Sequence, residues 1–300
     1  MVSYPSLTSN QQKTLPELIQ LTALPVMYDD STNRLWHCET VDGPMMLKVC
    51  DSHNVNTSPF WQGMKSLFGV DLPSQLDKFA QVYSDTNTFS PLTIPDYIAS
   101  SSTMEKDQSP AFILARLLPG TMVEPHHVDD GMVRNLAEHI SELHQYKRLI
   151  SGAIYSEGMN AEYWPKHLRE CLVKLAKHHG DIVPKPILDE ALTEVDKCSV
   201  DNFVPIMPDL RWDQFLQQDG KLSALVDLDA IVYGPRELEL VLLEFLLDEQ
   251  QAMIFIDKYQ QTHSLPNLDS VRKPYRLLLF MMNVLGEKNV DAWMQAPTRF

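Results

Sequence analysis

Val204-Pro205-Ile206-Met207-Pro208-Asp209-Leu210-Arg211-Trp212-Asp213-Gln214-Phe215-Leu216 runs into Asp219-Gly220 and then Leu222-Ser223-Ala224-Leu225-Val226-Asp227-Leu228-Asp229. Asp-Gly between two apolar runs is hairpin-turn chemistry, because both residues tolerate positive φ. The pattern predicts a strand over Leu222 to Asp229 and sets Asp209 and Asp227, eighteen residues apart, in one hairpin context. A strand-rich stretch from Val204 to Val232 thereby interrupts a helical second half.

Working outward, the first third reads as mixed β. Runs at Arg34 to Thr40 and Met45 to Cys50 flank Val41-Asp42-Gly43-Pro44, which predicts a second hairpin. A helical stripe of Leu76, Phe79, Val82 and Tyr83 follows, with strands expected at Pro91 to Pro95 and Phe112 to Ala115 and a polar loop from Ser100 to Ser109. Beyond Leu118-Pro119-Gly120, helix-period segments are expected at Asp129 to Tyr146, Ala161 to His178, Lys185 to Lys197, Glu237 to Tyr259 and Ser270 to Leu285. The reading is an α+β chain of two lobes, a small β-rich one over 1–117 and a larger, mainly helical one over 118–300.

At 300 residues and 44% hydrophobic, the chain is long enough to bury a sizeable core. Its net charge of −15 repels a polyphosphate backbone, so nucleic acid is excluded as a partner. No uncharged apolar run approaches the ~18 residues of a membrane span, and the polar stretch Met1 to Gln12 lacks the features of an export signal. Cys38, Cys50, Cys171 and Cys198 show no metal-ligand spacing and read as reduced thiols of a cytoplasmic protein.

Phosphoryl transfer calls for one carboxylate to orient or deprotonate an acceptor hydroxyl and another to hold the magnesium that bridges the phosphates. A loop Asp followed by an Asp after an apolar strand suits both roles. Met207-Pro208-Asp209-Leu210 with Gln214, then Leu225-Val226-Asp227, resembles the aminoglycoside phosphotransferase and choline kinase type of protein-kinase-like enzyme. Its catalytic loop usually reads His-Gly-Asp-Leu with Asn five residues after the Asp. Tyr233-Gly234-Pro235-Arg236-Glu237 is similar to fructosamine kinases, and Leu136-Ala137 and Leu143-His144 to the first helix of the family's second lobe.

The resemblance implies a protein-kinase-like fold and transfer of the γ-phosphate of ATP to a hydroxyl of a small metabolite, such as an aminoglycoside, amino-alcohol or sugar-like compound. It places Asp209 as the base, Asp227 and Gln214 as ligands of Mg2+, Ser31, Thr32 and Asn33 in the phosphate-covering loop, and Lys48 at the nucleotide phosphates. Strand alternation puts Met46 on the face of Lys48 and hence against the adenine. A second reading is a catalytically impaired relative that binds nucleotide, metabolite or a protein partner.

Several residues depart from the family pattern. Met207 lacks histidine's hydrogen-bonding groups, Pro208 lacks an N–H, Gln214 is longer than Asn, and Gln75 and Asp77 stand where a glutamate partner for Lys48 is expected. His179-Gly180-Asp181 is a decoy, because Pro186 follows five residues after its Asp, and Gly180 reads as a helix C-cap. His126-His127 precedes a helix start capped by Asp129 or Asp130. Arg236, Glu237 and His144 read as structural, and Trp212 as either core packing or a cover over the acceptor.

Overall fold

The computed structural model describes residues 2–26, 31–103 and 109–300. Residues 104–108 of the expected polar loop lie outside them. Five antiparallel strands, β1 (Leu18–Ala23), β2 (Asn33–Thr40), β3 (Gly43–Cys50), β4 (Tyr97–Ser101) and β5 (Phe112–Arg116), form one sheet in the order β1-β2-β3-β5-β4. The β2–β3 hairpin closes at Val41-Asp42, with Thr40 opposite Gly43. Gly43 has φ +102°, a backbone angle that only glycine adopts without strain.

Alternation along β3 gives the sheet two different faces. Met45, Leu47 and Val49 pack with Phe112, Leu114 and the N-terminal Tyr4 and Leu7 in an outer core. Met46 and Lys48 point the other way, toward the second lobe.

The second lobe carries two small sheets. β6 (Thr121–Met122), β10 (Phe215–Gln218) and β11 (Lys221–Leu225) form one, in the order β11-β10-β6. β7 (Ile150–Ala153), β8 (Met159–Asn160), β9 (Val204–Ile206) and β12 (Val232–Gly234) form the other, in the order β8-β7-β12-β9. Around them pack the helices Asp130–Leu143, Trp164–His179, Lys185–Glu194, Arg236–Leu246, Glu249–Tyr259 and Arg272–Met281. Asp129 caps the first of these by accepting from the Met132 N–H at 2.9 Å. Among the described residues no helix is long and apolar enough to cross a membrane.

Four expectations need correction. Pro91 to Pro95 is not a sheet strand: its two prolines have no N–H to give a ladder, and only Thr93 bridges Ala224. The neighbour of β5 on the side away from β3 is instead Tyr97–Ser101, which takes in the start of the expected polar loop. Glu237 to Tyr259 breaks into two helices at Leu247, where the backbone is extended and Asp248 with Gln251 builds a capping box for the second. The strand expected over Leu222 to Asp229 ends at Leu225, which leaves Asp227 and Asp229 in the loop beyond it.

The helix Pro59–Phe68 was not anticipated. It precedes residue 117 yet packs on the second lobe, where Phe68 meets Trp164 at 5.7 Å between ring centroids. Gly63 lowers its helix propensity, but a Cβ at that position would lie 2.6 Å from the Met282 side chain.

Candidate active site

A cavity of about 720 Å³ opens between the large sheet and the β10–β11 hairpin. Ser31, Thr32, Asn33, Met46, Lys48, Asp209, Gln214 and Asp227 all line it, and so does Asp229. The hairpin brings the two halves of the acidic pair together. β10 starts one residue after Gln214, β11 ends two residues before Asp227, and the Val226 N–H donates to the Gln214 carbonyl at 3.0 Å.

Lys48 Nζ lies 2.8 Å from Asp227 Oδ1 and 3.5 Å from Asp229 Oδ1. Burial alone would lower the lysine's pKa, but the two carboxylates outweigh it and raise it, so the ammonium stays charged. The same ion pair holds Asp227 below the usual carboxylate range against its own burial, whereas burial pushes Asp229 up. The Asp229 side chain is only 7% exposed, and its Oδ2 accepts from Asn33 Nδ2 at 2.7 Å. One carboxylate therefore ties the start of β2 to the lysine of β3.

Gln75 and Asp77 do not reach Lys48. Gln75 Oε1 accepts from the Asp71 N–H and the Tyr155 hydroxyl, and Asp77 accepts from Ser102. The helix Phe79–Phe89 turns buried Tyr83 toward the cavity instead of an acid. Acids two residues apart in the Asp227 loop thus supply the lysine's counter-charge.

Burial raises the Asp209 carboxyl to about 7; the Asp227 charge adds to the effect and Arg211 offsets part of it. Gln214 fixes the loop that carries Asp209: its Nε2 donates to the Asp209 carbonyl and its Oε1 accepts from the Arg211 N–H, both at 3.1 Å. At the other end, the Met207 N–H donates to Glu239 Oε1 at 2.7 Å, while the Met207 side chain is buried in the core. Glu239 Oε2 lies 2.8 Å from His144 Nε2, and His144 Nδ1 2.7 Å from the Tyr259 hydroxyl. His144 is therefore structural, as its position suggested, and it supports the loop through Glu239.

Glu239 was missed by the sequence reading. The only available signal was an acid three residues into a helix, which ordinarily reads as dipole compensation. The decoys fall elsewhere. Gly180 ends the helix Trp164–His179 and His179 Nε2 contacts the Met281 carbonyl. His126 and His127 are exposed and lie 3.2 and 3.5 Å from Glu124 Oε2. Trp212 is buried against Phe215. Arg236 pairs with Glu237 and donates to the Ser264 carbonyl.

Among solved structures, the chain is similar to macrolide 2'-phosphotransferase MphH from Brachybacterium faecium, with 14% identity, a TM-score of 0.57, and 95% of this chain and 96% of that one covered. It is also similar to a protein assigned as a fructosamine-3-kinase from Haemophilus somnus 129PT, with 16% identity, a TM-score of 0.60 and coverage of 96% and 92%. A thermostable mutant of aminoglycoside phosphotransferase APH(4)-Ia in complex with ADP and hygromycin B aligns with 14% identity, a TM-score of 0.60 and coverage of 93% and 91%. No curated protein matches in sequence. At these identities the solved structures establish the two-lobed, kinase-like fold. The sequence profile of the phosphotransferase enzyme family, APH, matches residues 28–274. A match over so much of the chain settles the affiliation: this protein belongs to the phosphotransferase enzyme family.

Proposed function

We propose that the protein transfers the γ-phosphate of ATP to a hydroxyl of a small metabolite. The observation that carries this reading is the convergence of Lys48, Asp209 and Asp227, drawn from both lobes, on one cavity. Ser31, Thr32 and Asn33 cover the phosphates, Lys48 pairs with them, and Met46 lies against the adenine. Asp209 accepts the hydroxyl proton as the acceptor oxygen bonds to the γ-phosphorus and ADP departs. A base titrating near neutrality is matched to that task.

The donor set suits magnesium, a hard cation that takes oxygen ligands. Asp209, Asp227 and Asp229 line one cavity, Lys48 is the shared cation of Asp227 and Asp229, and Asp227 keeps a third of its side chain exposed. Asp227 would be the principal ligand, and the Gln214 amide oxygen, which also accepts from the Arg211 N–H, would be the second. When bound, the ion would neutralise charge on the phosphates. On this reading Asp229 is the positioning residue of Lys48, taking the part that a helix glutamate would otherwise fill.

The altered residues of the loop are compatible with activity, because Glu239 and Gln214 hold its backbone from both ends. Magnesium-dependent ATP turnover over a panel of hydroxyl acceptors tests the proposal, with Asp209→Asn and Asp227→Ala as controls. If nucleotide raises the melting temperature while neither substitution changes turnover, the protein is a binder and not an enzyme.

A further inference from the structure

Three side chains with metal-binding donors meet on the turn that leads into the helix Asp130–Leu143, and none of them lines the cavity. Glu124 Oε2 lies 3.2 Å from His126 Nε2 and 3.5 Å from His127 Nδ1, and the two imidazole rings are 4.0 Å apart between centroids. The donor atoms of all three fall within 4.8 Å of one another.

Neighbouring residues of a strand point to opposite faces and cannot share a ligand. Pro125–His127 is instead a single 3₁₀ turn, with Glu124 as its cap and the His127 N–H donating to the Glu124 carbonyl at 2.9 Å. Three residues per turn eclipse side chains three apart, which sets His127 beside Glu124. His126 reaches the same carboxylate oxygen. The turn is anchored at both ends. Val123 is buried and its N–H donates to the Phe215 carbonyl at 3.0 Å, Val128 packs on the main core, and Asp129 caps the helix that follows.

The separations are those of a metal site. Bonds of about 2.0–2.1 Å arranged tetrahedrally hold ligand atoms about 3.3–3.4 Å apart, and the two edges that meet at Glu124 Oε2 bracket that value. An ion pair alone accounts for the arrangement less well, because one carboxylate needs one imidazolium, and a second at 4.0 Å is repelled by the first. A divalent cation puts its charge between all three donors. Two imidazole nitrogens with one carboxylate suit zinc and its neighbours in the first transition row, whereas magnesium prefers oxygen.

We infer that Glu124, His126 and His127 form a binding site for a divalent cation of the zinc class, with water completing the coordination because all three side chains are exposed. The site is distinct from that of the magnesium assigned to the cavity and does not depend on the phosphotransferase reading.

Zinc chloride titrated calorimetrically into the full chain, in the presence of excess magnesium, tests it. One ion is expected to bind. Loss of a residue that only orients a metal ligand costs about 10–100-fold in affinity, so His126→Ala and His127→Ala should each weaken binding at least about tenfold. Without metal both variants should keep the wild-type melting temperature, which separates lost binding from lost folding. Cobalt(II) reports the geometry, because a four-coordinate ion absorbs visible light far more strongly than aqueous cobalt; that band should appear in the wild type and vanish in both variants. Binding should also weaken on acidification, since protons compete for the imidazole nitrogens. Zinc affinity that survives either histidine substitution overturns the inference, and so does a wild-type chain that binds no zinc.

Discussion

Asp209→Asn is expected to stabilise the protein at neutral and alkaline pH while abolishing transfer. In the fold this carboxyl titrates at about 7 against an ordinary value of 3.8. Between those two values the unfolded chain has released a proton that the folded chain still holds. Stability therefore falls as pH rises from 3.8 to about 7 and stays low above that. At about 1.36 kcal/mol for each pH unit, the cost has a ceiling near 4 kcal/mol. Asp209 keeps part of its surface toward water, which screens the interaction, so we expect a gain of about 1–2 kcal/mol in the neutral Asn variant. For a chain of this size that is an increase of about 2–6 °C in melting temperature. Thermal unfolding of both proteins at pH 4 and pH 8 should show the gain at pH 8 and little at pH 4. An equal gain at both, or a loss at pH 8, refutes the argument. The same titration predicts that wild-type turnover declines as pH falls below about 7, because the base is then protonated.

Asp229→Asn removes charge from the group that joins Asn33 to Lys48, and ATP affinity measured by calorimetry should weaken by about tenfold, the scale of one hydrogen bond to a charged group. Unchanged affinity would take Asp229 out of the nucleotide site. Glu244→Ala leaves the buried Arg272 and Arg276 without their shared counter-ion and should cost about 3–5 kcal/mol in urea unfolding. A loss under 1 kcal/mol would mean that Asp269 and the C-terminal carbonyls bonded to those arginines satisfy them without Glu244. Gly158→Ala puts a Cβ 1.9 Å from the Ser151 carbonyl oxygen at φ +64°, so the β7–β8 hairpin should not close; a variant with wild-type stability would contradict that geometry.

The parts legible in sequence were those with local signals. The β2–β3 and β10–β11 hairpins announced themselves by Asp-Gly turns, and period-2 alternation was enough to place Met46 and Lys48 on one face. The eight residues singled out for the site converge because the hairpins set their register. What escaped was fixed by distant partners. Helix Pro59–Phe68 contains a glycine that propensity argues against and that only Met282, more than two hundred residues away, explains. Glu239 looks like any acid in a first helical turn until Met207 and His144 are brought to it. Lys48 has its counter-charge in the loop after β11, where a search along the helix Phe79–Phe89 would not look.

Helix Pro59–Phe68 also bears on how the molecule opens. A chain that crosses from one lobe to the other at a single point leaves a door on one hinge. Here it leaves the sheet after Cys50, docks on the second lobe, returns to build the helix Phe79–Phe89 and leaves again after Arg116, so the door is fastened at three places along its frame. Wide swinging of the lobes is resisted by covalent bonds as well as by packing. At the mouth of the cavity the Asn33 side chain adds a bolt of its own, a hydrogen bond thrown from the start of β2 to Asp229 in the other lobe.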